Sequence, residues 1–216
     1  ELRHLKNDEI TSQYELDWLK RWNLYAPKSP ALTDGDSGQT YSYSELYHLS
    51  LSGAAFLKNK YNIQKGDRIV HISTNEPSTF ILFFALARLG ATLVPVNFRL
   101  TSRELGYVIS NAEPTLVVYE EAFKGLLLEI KNEISLSEDR WLPLTGENSF
   151  ATLSAKEKAE FTEFQSTEQS TALIIYTSGT TGFPKGAMIS HQTLFWNSIN
   201  TTLRLNVSES DAVVIF

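Results

Sequence analysis

The stretch DRIVHISTNEPSTFILFFALARLGATLVPV, residues 67–96, decides the fold. It opens on a short apolar run, DRIVHIS, turns through polar residues to Glu76 and Pro77, and continues as a long apolar segment to Leu89. After Gly90 comes a second short apolar run, ATLVPV. Proline suits the first turn of a helix and glycine the position just past its end, so residues from about 76 to 89 read as a helix between two buried strands. Strand, helix and strand at this pitch form a βαβ unit. Phe80 to Val96 is also the best membrane candidate, and it fails: it is short of a full span, Arg88 and Gly90 interrupt it, and Pro95 closes it.

The rhythm extends outward in both directions. Downstream, Thr101 and Glu104 have capping-box spacing and open a helix that ends near Asn111, and TLVVY (115–119) is another short buried strand. Residues 121–132 read as helix. Residues 132–170 are the least regular, with one weak strand in RWLPL (140–144) and surface excursions otherwise. Strands follow in TALIIY (171–176) and GAMIS (186–190), then a helix from about Gln192 to Arg204 and a strand in DAVVIF (211–216). Upstream, Ser42 and Glu45 form a second capping box, opening a helix to about Tyr61. It is preceded by a hairpin-like stretch (31–46) turning at Asp34-Gly35. Tyr14, Trp18 and Trp22 recur every fourth residue, which puts three rings on one helical face expected to pack into the core. The class is α/β: βαβ units around a parallel sheet with helices on both faces.

Composition narrows the function. The chain of 216 residues carries 19 Lys and Arg against 25 Asp and Glu, and a net charge of -6 is the wrong sign for a protein whose main partner is nucleic acid or an anionic membrane. With no cysteine there is no disulfide framework, thiol nucleophile or thiolate metal ligand, and a cytoplasmic location is the expectation. No pair of histidines has the spacing of a metal site. His191, beside Ser190 at a helix start, fits capping and packing better than substrate contact.

Chemistry concentrates between the strands at 171–176 and 186–190. Thr177, Ser178, Thr180 and Thr181 supply hydroxyls, Gly179 and Gly182 let backbone N–H groups come close, and Lys185 supplies a cation behind the stiffening Pro184. That is what a loop around phosphate oxygens needs. The alternative, a plain Ser/Thr/Gly turn, leaves Lys185 and the flanking strand unexplained. It is not a Walker A loop, since Pro184 stands where that pattern requires glycine and Gly186 follows the lysine; G-x-G-x-x-G and G-x-S-x-G are absent as well.

YTSGTTGFPKG resembles the phosphate-loop signature of the adenylate-forming, or AMP-binding, enzyme family at ten of its eleven positions, with Phe183 at the variable one. AMISHQTL is similar to the family's continuation, TYSYSEL (40–46) to its Thr-Tyr-x-Glu-Leu element in lengthened form, and LARLGATLVPVNFRLTSREL (86–105) to its second conserved block. Within that block, Asn97 to Leu100 followed by Glu104-Leu105 looks like the acid-CoA ligases more than the peptide-synthetase domains.

The resemblance implies that residues 1–216 are the N-terminal portion of an AMP-binding domain. It implies a carboxylic acid, in this branch a fatty acid, activated by ATP to an acyl-adenylate with loss of pyrophosphate and then transferred to CoA or another thiol. It also implies that Thr177, Ser178, Gly179, Thr180, Thr181, Gly182 and Lys185 hold the nucleotide, that Lys185 is catalytic, and that Thr177 is a Mg2+ ligand. The family's adenine-binding and ribose-binding motifs and its adenylation lysine are not in this sequence, so the chain alone is expected to be inactive. Apolar surface around Ala212 to Phe216 is expected to promote self-association. A second reading is a binding module that kept the fold without catalysis; the undisturbed loop favours the enzyme.

Overall fold

The computed structural model describes residues 15–158, 163–177, 183–208 and 210–214. Its centre is a six-stranded sheet built on the βαβ unit read from the sequence. Helix α1 (Trp18–Tyr25) comes first, then a two-stranded antiparallel hairpin, β1 (Pro30–Thr33) and β2 (Thr40–Ser42). There follow α2 (Tyr43–Tyr61), β3 (Arg68–Ile72), α3 (Pro77–Leu89), β4 (Thr92–Pro95), α4 (Ser102–Ala112) and β5 (Leu116–Tyr119). Next are α5 (Lys124–Ile130), β6 (Trp141–Pro143), α6 (Phe150–Ser154), β7 (Thr171–Thr177), β8 (Lys185–Ser190) and α7 (His191–Leu205). The sheet order is β6-β5-β3-β4-β7-β8, in which only β8 is antiparallel, to β7.

Local chemistry sets the helix ends as expected. Both capping boxes form: Ser42 accepts from the Glu45 amide while Glu45 accepts from the Ser42 amide, and Thr101 and Glu104 repeat the arrangement. Pro77 opens α3, and Gly90 closes it with φ of 69°, in the left-handed region that glycine enters without strain.

Strand alternation sorts the core into two layers. Ile69, Leu93, Leu116 and Val118 face one side, packed with Leu57 of α2, Leu82 and Leu86 of α3, and Phe150 of α6. Val70, Val94, Val117 and Tyr119 face the other, packed with Leu105, Val108 and Ile109 of α4 and Leu127 of α5. In register, Ile69 lies between Leu93 and Leu116. Arg88, which ruled out a membrane span, is 1% exposed inside the first layer. It donates to Asp17 at 2.9 Å and to Ser50 Oγ at 3.1 Å, so an ion pair ties α1 to α2 and α3. Burial raises the Asp17 carboxyl, and the Arg88 charge opposes that rise. Among the described residues no helix is long and apolar enough to cross a membrane.

Three sequence expectations need correcting. The aromatic stripe is not core: Leu19 is the buried residue of α1, whereas Trp22 is exposed and stacks on Tyr43 at 5.3 Å between centroids; Tyr14 lies outside the described residues. Periodicity placed the rings on one face, but the branched aliphatic Leu19 fills the contact and the larger rings cover its rim. The C-terminal run forms no strand over residues 211–214, and Val213 and Val214 are 77% and 79% exposed; Ile215 and Phe216 lie outside the described residues. A strand needs a neighbour's ladder, and nothing described pairs with this one. Within the irregular region the structure adds α6, whose Phe150 is fully buried, and it forms the weak strand as β6, paired parallel with β5.

Candidate phosphate-binding site

Strands β7 and β8 make the hairpin that carries the loop. Tyr176 pairs with Gly186 and Thr177 with Lys185, the last register pair before the loop. Side chains directly opposite in an antiparallel ladder project on the same face, so Thr177 and Lys185 leave the hairpin on the same side. Both residues are exposed. Lys185 has no ion-pair partner among the described residues. Ser178, Gly179, Thr180, Thr181 and Gly182 lie outside the described residues, so the structure brings together the two ends of the sequence-read site.

The hairpin's opposite face is packed. Alternation puts Ile174 and Tyr176 against the α4 layer and leaves Ile175, 37% exposed, on the open face with Thr177. The Tyr176 ring lies across β8 at Gly186. A Cβ there would come within 2.8 Å of Ile174 Cγ2 and 3.2 Å of the ring, so the motif's last glycine is needed for close approach. The Tyr176 hydroxyl donates to Asn111 Oδ1 at 2.7 Å. Phe183, the variable position of the motif, packs against Tyr107 with centroids 4.9 Å apart and the rings tilted by 30°. Tyr107 and Asn111 precede the motif by more than sixty residues, and no local pattern marks them.

His191 is 5% exposed at the start of α7, with Ser190 as the N-cap accepting from the Thr193 amide. Burial lowers its pKa to about 4, and Phe164 packs edge-on to its ring at 6.4 Å. His71, on β3, is likewise lowered to about 4 by burial, with Nε2 3.3 Å from Thr79 Oγ1. Both are core histidines. Among the described residues no group of three His, Asp or Glu could hold a metal ion.

A mostly parallel sheet with helices on both faces and an antiparallel hairpin at one edge is an α/β architecture. The AMP-binding enzyme model matches residues 19–216, and the chain belongs to that family. It is 30% identical over 205 residues to 4-hydroxybutyrate--CoA ligase 2 of Metallosphaera sedula, covering 86% of this chain and 36% of that protein. It is 31% identical over 196 residues to 2-succinylbenzoate--CoA ligase of Listeria monocytogenes, covering 91% and 38%. Among solved structures, apo MatB from Rhodopseudomonas palustris superposes with a TM-score of 0.76 at 28% identity, over 91% of this chain and 38% of that one. The chain therefore spans less than two-fifths of the length of these relatives.

Proposed function

We propose that the whole protein is an AMP-forming carboxylic acid:CoA ligase of the cytoplasm, and that the β7–β8 hairpin is its polyphosphate site. The observation that carries this reading is the Thr177–Lys185 pair, which sets an exposed threonine opposite an exposed lysine that has no ion-pair partner among the described residues. A carboxylate is a weak nucleophile toward the α-phosphate of ATP. The protein's task is to align the attack and to neutralise the charge gathering on the departing pyrophosphate. Lys185 is the catalytic cation for those oxygens, and Thr177 with Ser178, Gly179, Thr180, Thr181 and Gly182 supplies donors around them.

An exposed threonine hydroxyl suits Mg2+, which takes one or two protein oxygens and completes its shell with phosphate and water. When bound, Mg2+ would neutralise phosphate charge, with Thr177 as the protein ligand. CoA, or another thiol, is the acceptor of the acyl group. A fatty acid is the substrate we propose, and the relatives that are 4-hydroxybutyrate and 2-succinylbenzoate ligases set the acids to compare with it. The 216-residue chain by itself is inactive on this reading. A non-catalytic nucleotide-binding or interaction module is the second reading, and it gives no reason for a lysine opposite Thr177 with no ion-pair partner among the described residues.

The test is acid-dependent ATP–pyrophosphate exchange by the whole protein and its Lys185→Ala variant. Loss of about a hundredfold or more in exchange supports the role, on the scale set by removing one transition-state charge stabiliser. An unchanged rate removes Lys185 from the chemistry.

A further inference from the structure

The face of the hairpin turned away from Thr177 and Lys185 is held by one helix. Tyr107 and Asn111 lie one turn apart on α4, so their side chains share a face. One receives the Phe183 ring from the β8 side and the other receives the Tyr176 hydroxyl from the β7 side. Strand β7 at Tyr176 and the segment leading into β8 at Phe183 are therefore both held within two residues of the Thr177–Lys185 pair.

Strand β7 has one registered pairing with β4, Leu93 against Leu173, and from Ile174 onward its ladder partner is β8 alone. At the mouth of the hairpin, α4 adds the Tyr107 and Asn111 contacts to that pairing. That helix is a firm base, because its capping box closes its first turn and Leu105, Val108 and Ile109 are fully buried. The Tyr176 phenol stays a hydrogen-bond donor across the neutral range, since burial, foremost, raises it above its ordinary value.

We propose that Tyr107 and Asn111 are positioning residues for the polyphosphate site: they brace the back of the hairpin and so fix where the Lys185 ammonium meets the phosphates. The inference rests on the function proposed above. A lysine side chain is long and flexible, so its effective placement depends on how well its strand is fixed. Displacements of about an ångström are costly when a charge must meet a transition state.

Two measurements test it, on Tyr107→Leu, Tyr107→Phe and Asn111→Ala. In the 216-residue chain, amide hydrogen exchange is followed in β7 and β8, with β3 and β5 as internal reference. One aromatic contact or one hydrogen bond predicts about two- to tenfold faster exchange in the hairpin for Tyr107→Leu and Asn111→Ala, none in the reference strands, and recovery in Tyr107→Phe. In the whole protein, ATP–pyrophosphate exchange should show KM for ATP raised by a similar factor, about two- to tenfold, with KM for the acid unchanged. General destabilisation would lower only the active fraction and leave both KM values alone. Unchanged hairpin exchange overturns the bracing, and an unchanged KM for ATP overturns the positioning role. A wild-type whole protein with no exchange activity for any acid would instead refute the proposed function, and hydrogen exchange would then decide the bracing by itself.

Discussion

Lowering the pH should unfold this chain through its buried histidines, and His71 is the cleaner of the two. It is 4% exposed on the central strand β3, and burial lowers its pKa from 6.5 to about 4. The unfolded chain therefore binds the proton more tightly than the folded one. Stability from this group is complete above the unfolded value of about 6.5 and is lost as the pH falls toward the folded value of about 4. The whole difference amounts to roughly 3 kcal/mol, at about 1.4 kcal/mol for each tenfold in proton affinity. Between about pH 7 and about pH 5 the loss is roughly 2 kcal/mol. His191, with the same direction and cause, adds a loss of the same sign. Carboxylates such as Glu45 and Glu104, held low by their capping hydrogen bonds, contribute mainly at lower pH. The assay is urea unfolding at both pH values for the wild type and His71→Gln. The variant's absolute stability will differ, so the comparison is of the pH dependence. It should be shallower in the variant by about 2 kcal/mol over this interval. Equal pH dependence in the two proteins would mean that His71 takes up its proton inside the fold at an ordinary pH, and the account of its burial would be wrong.

Other outcomes follow from named contacts. Asp17→Asn leaves Arg88 buried without its countercharge and should cost about 3–5 kcal/mol in urea unfolding, whereas Asp17→Leu combined with Arg88→Met should recover most of it. Gly90→Ala forces a side chain into a left-handed backbone with its Cβ 2.9 Å from Lys65 Cγ, and should lower stability by about 1–2 kcal/mol, read by thermal or urea unfolding. Gly186→Ala pushes a methyl into Ile174 and the Tyr176 ring, so it should raise KM for ATP in the whole protein while β3 keeps its amide protection. Ser42→Ala removes one capping box and should cost about 1 kcal/mol.

The sequence revealed most where local chemistry is decisive. Capping boxes at Ser42 and Thr101, Pro77 opening α3 and Gly90 closing it are each set by a few adjacent residues, and all appear where expected. The buried strands were legible for the same reason, since a strand covered on both faces is a short continuous apolar run. What failed depended on distant partners. The Trp18–Trp22 stripe looked like core because spacing cannot say whether Leu19 or the rings meet α2. The run at 211–214 looked like strand because composition cannot supply a neighbouring ladder. The motif marks Thr177 and Lys185 as candidates, yet their pairing across the hairpin and the contacts made by Tyr107 and Asn111 depend on partners that no spacing encodes.

The central claim is that the whole protein cleaves ATP to AMP by way of an acyl-adenylate held at the β7–β8 hairpin. Its most direct test is to identify the nucleotide released when the whole protein is given ATP, Mg2+, CoA and each of a panel of fatty, hydroxy and aryl carboxylic acids. The account predicts AMP and pyrophosphate, in step with an acyl thioester, for at least one acid class. Release of ADP and phosphate, or no cleavage with any acid, would contradict it.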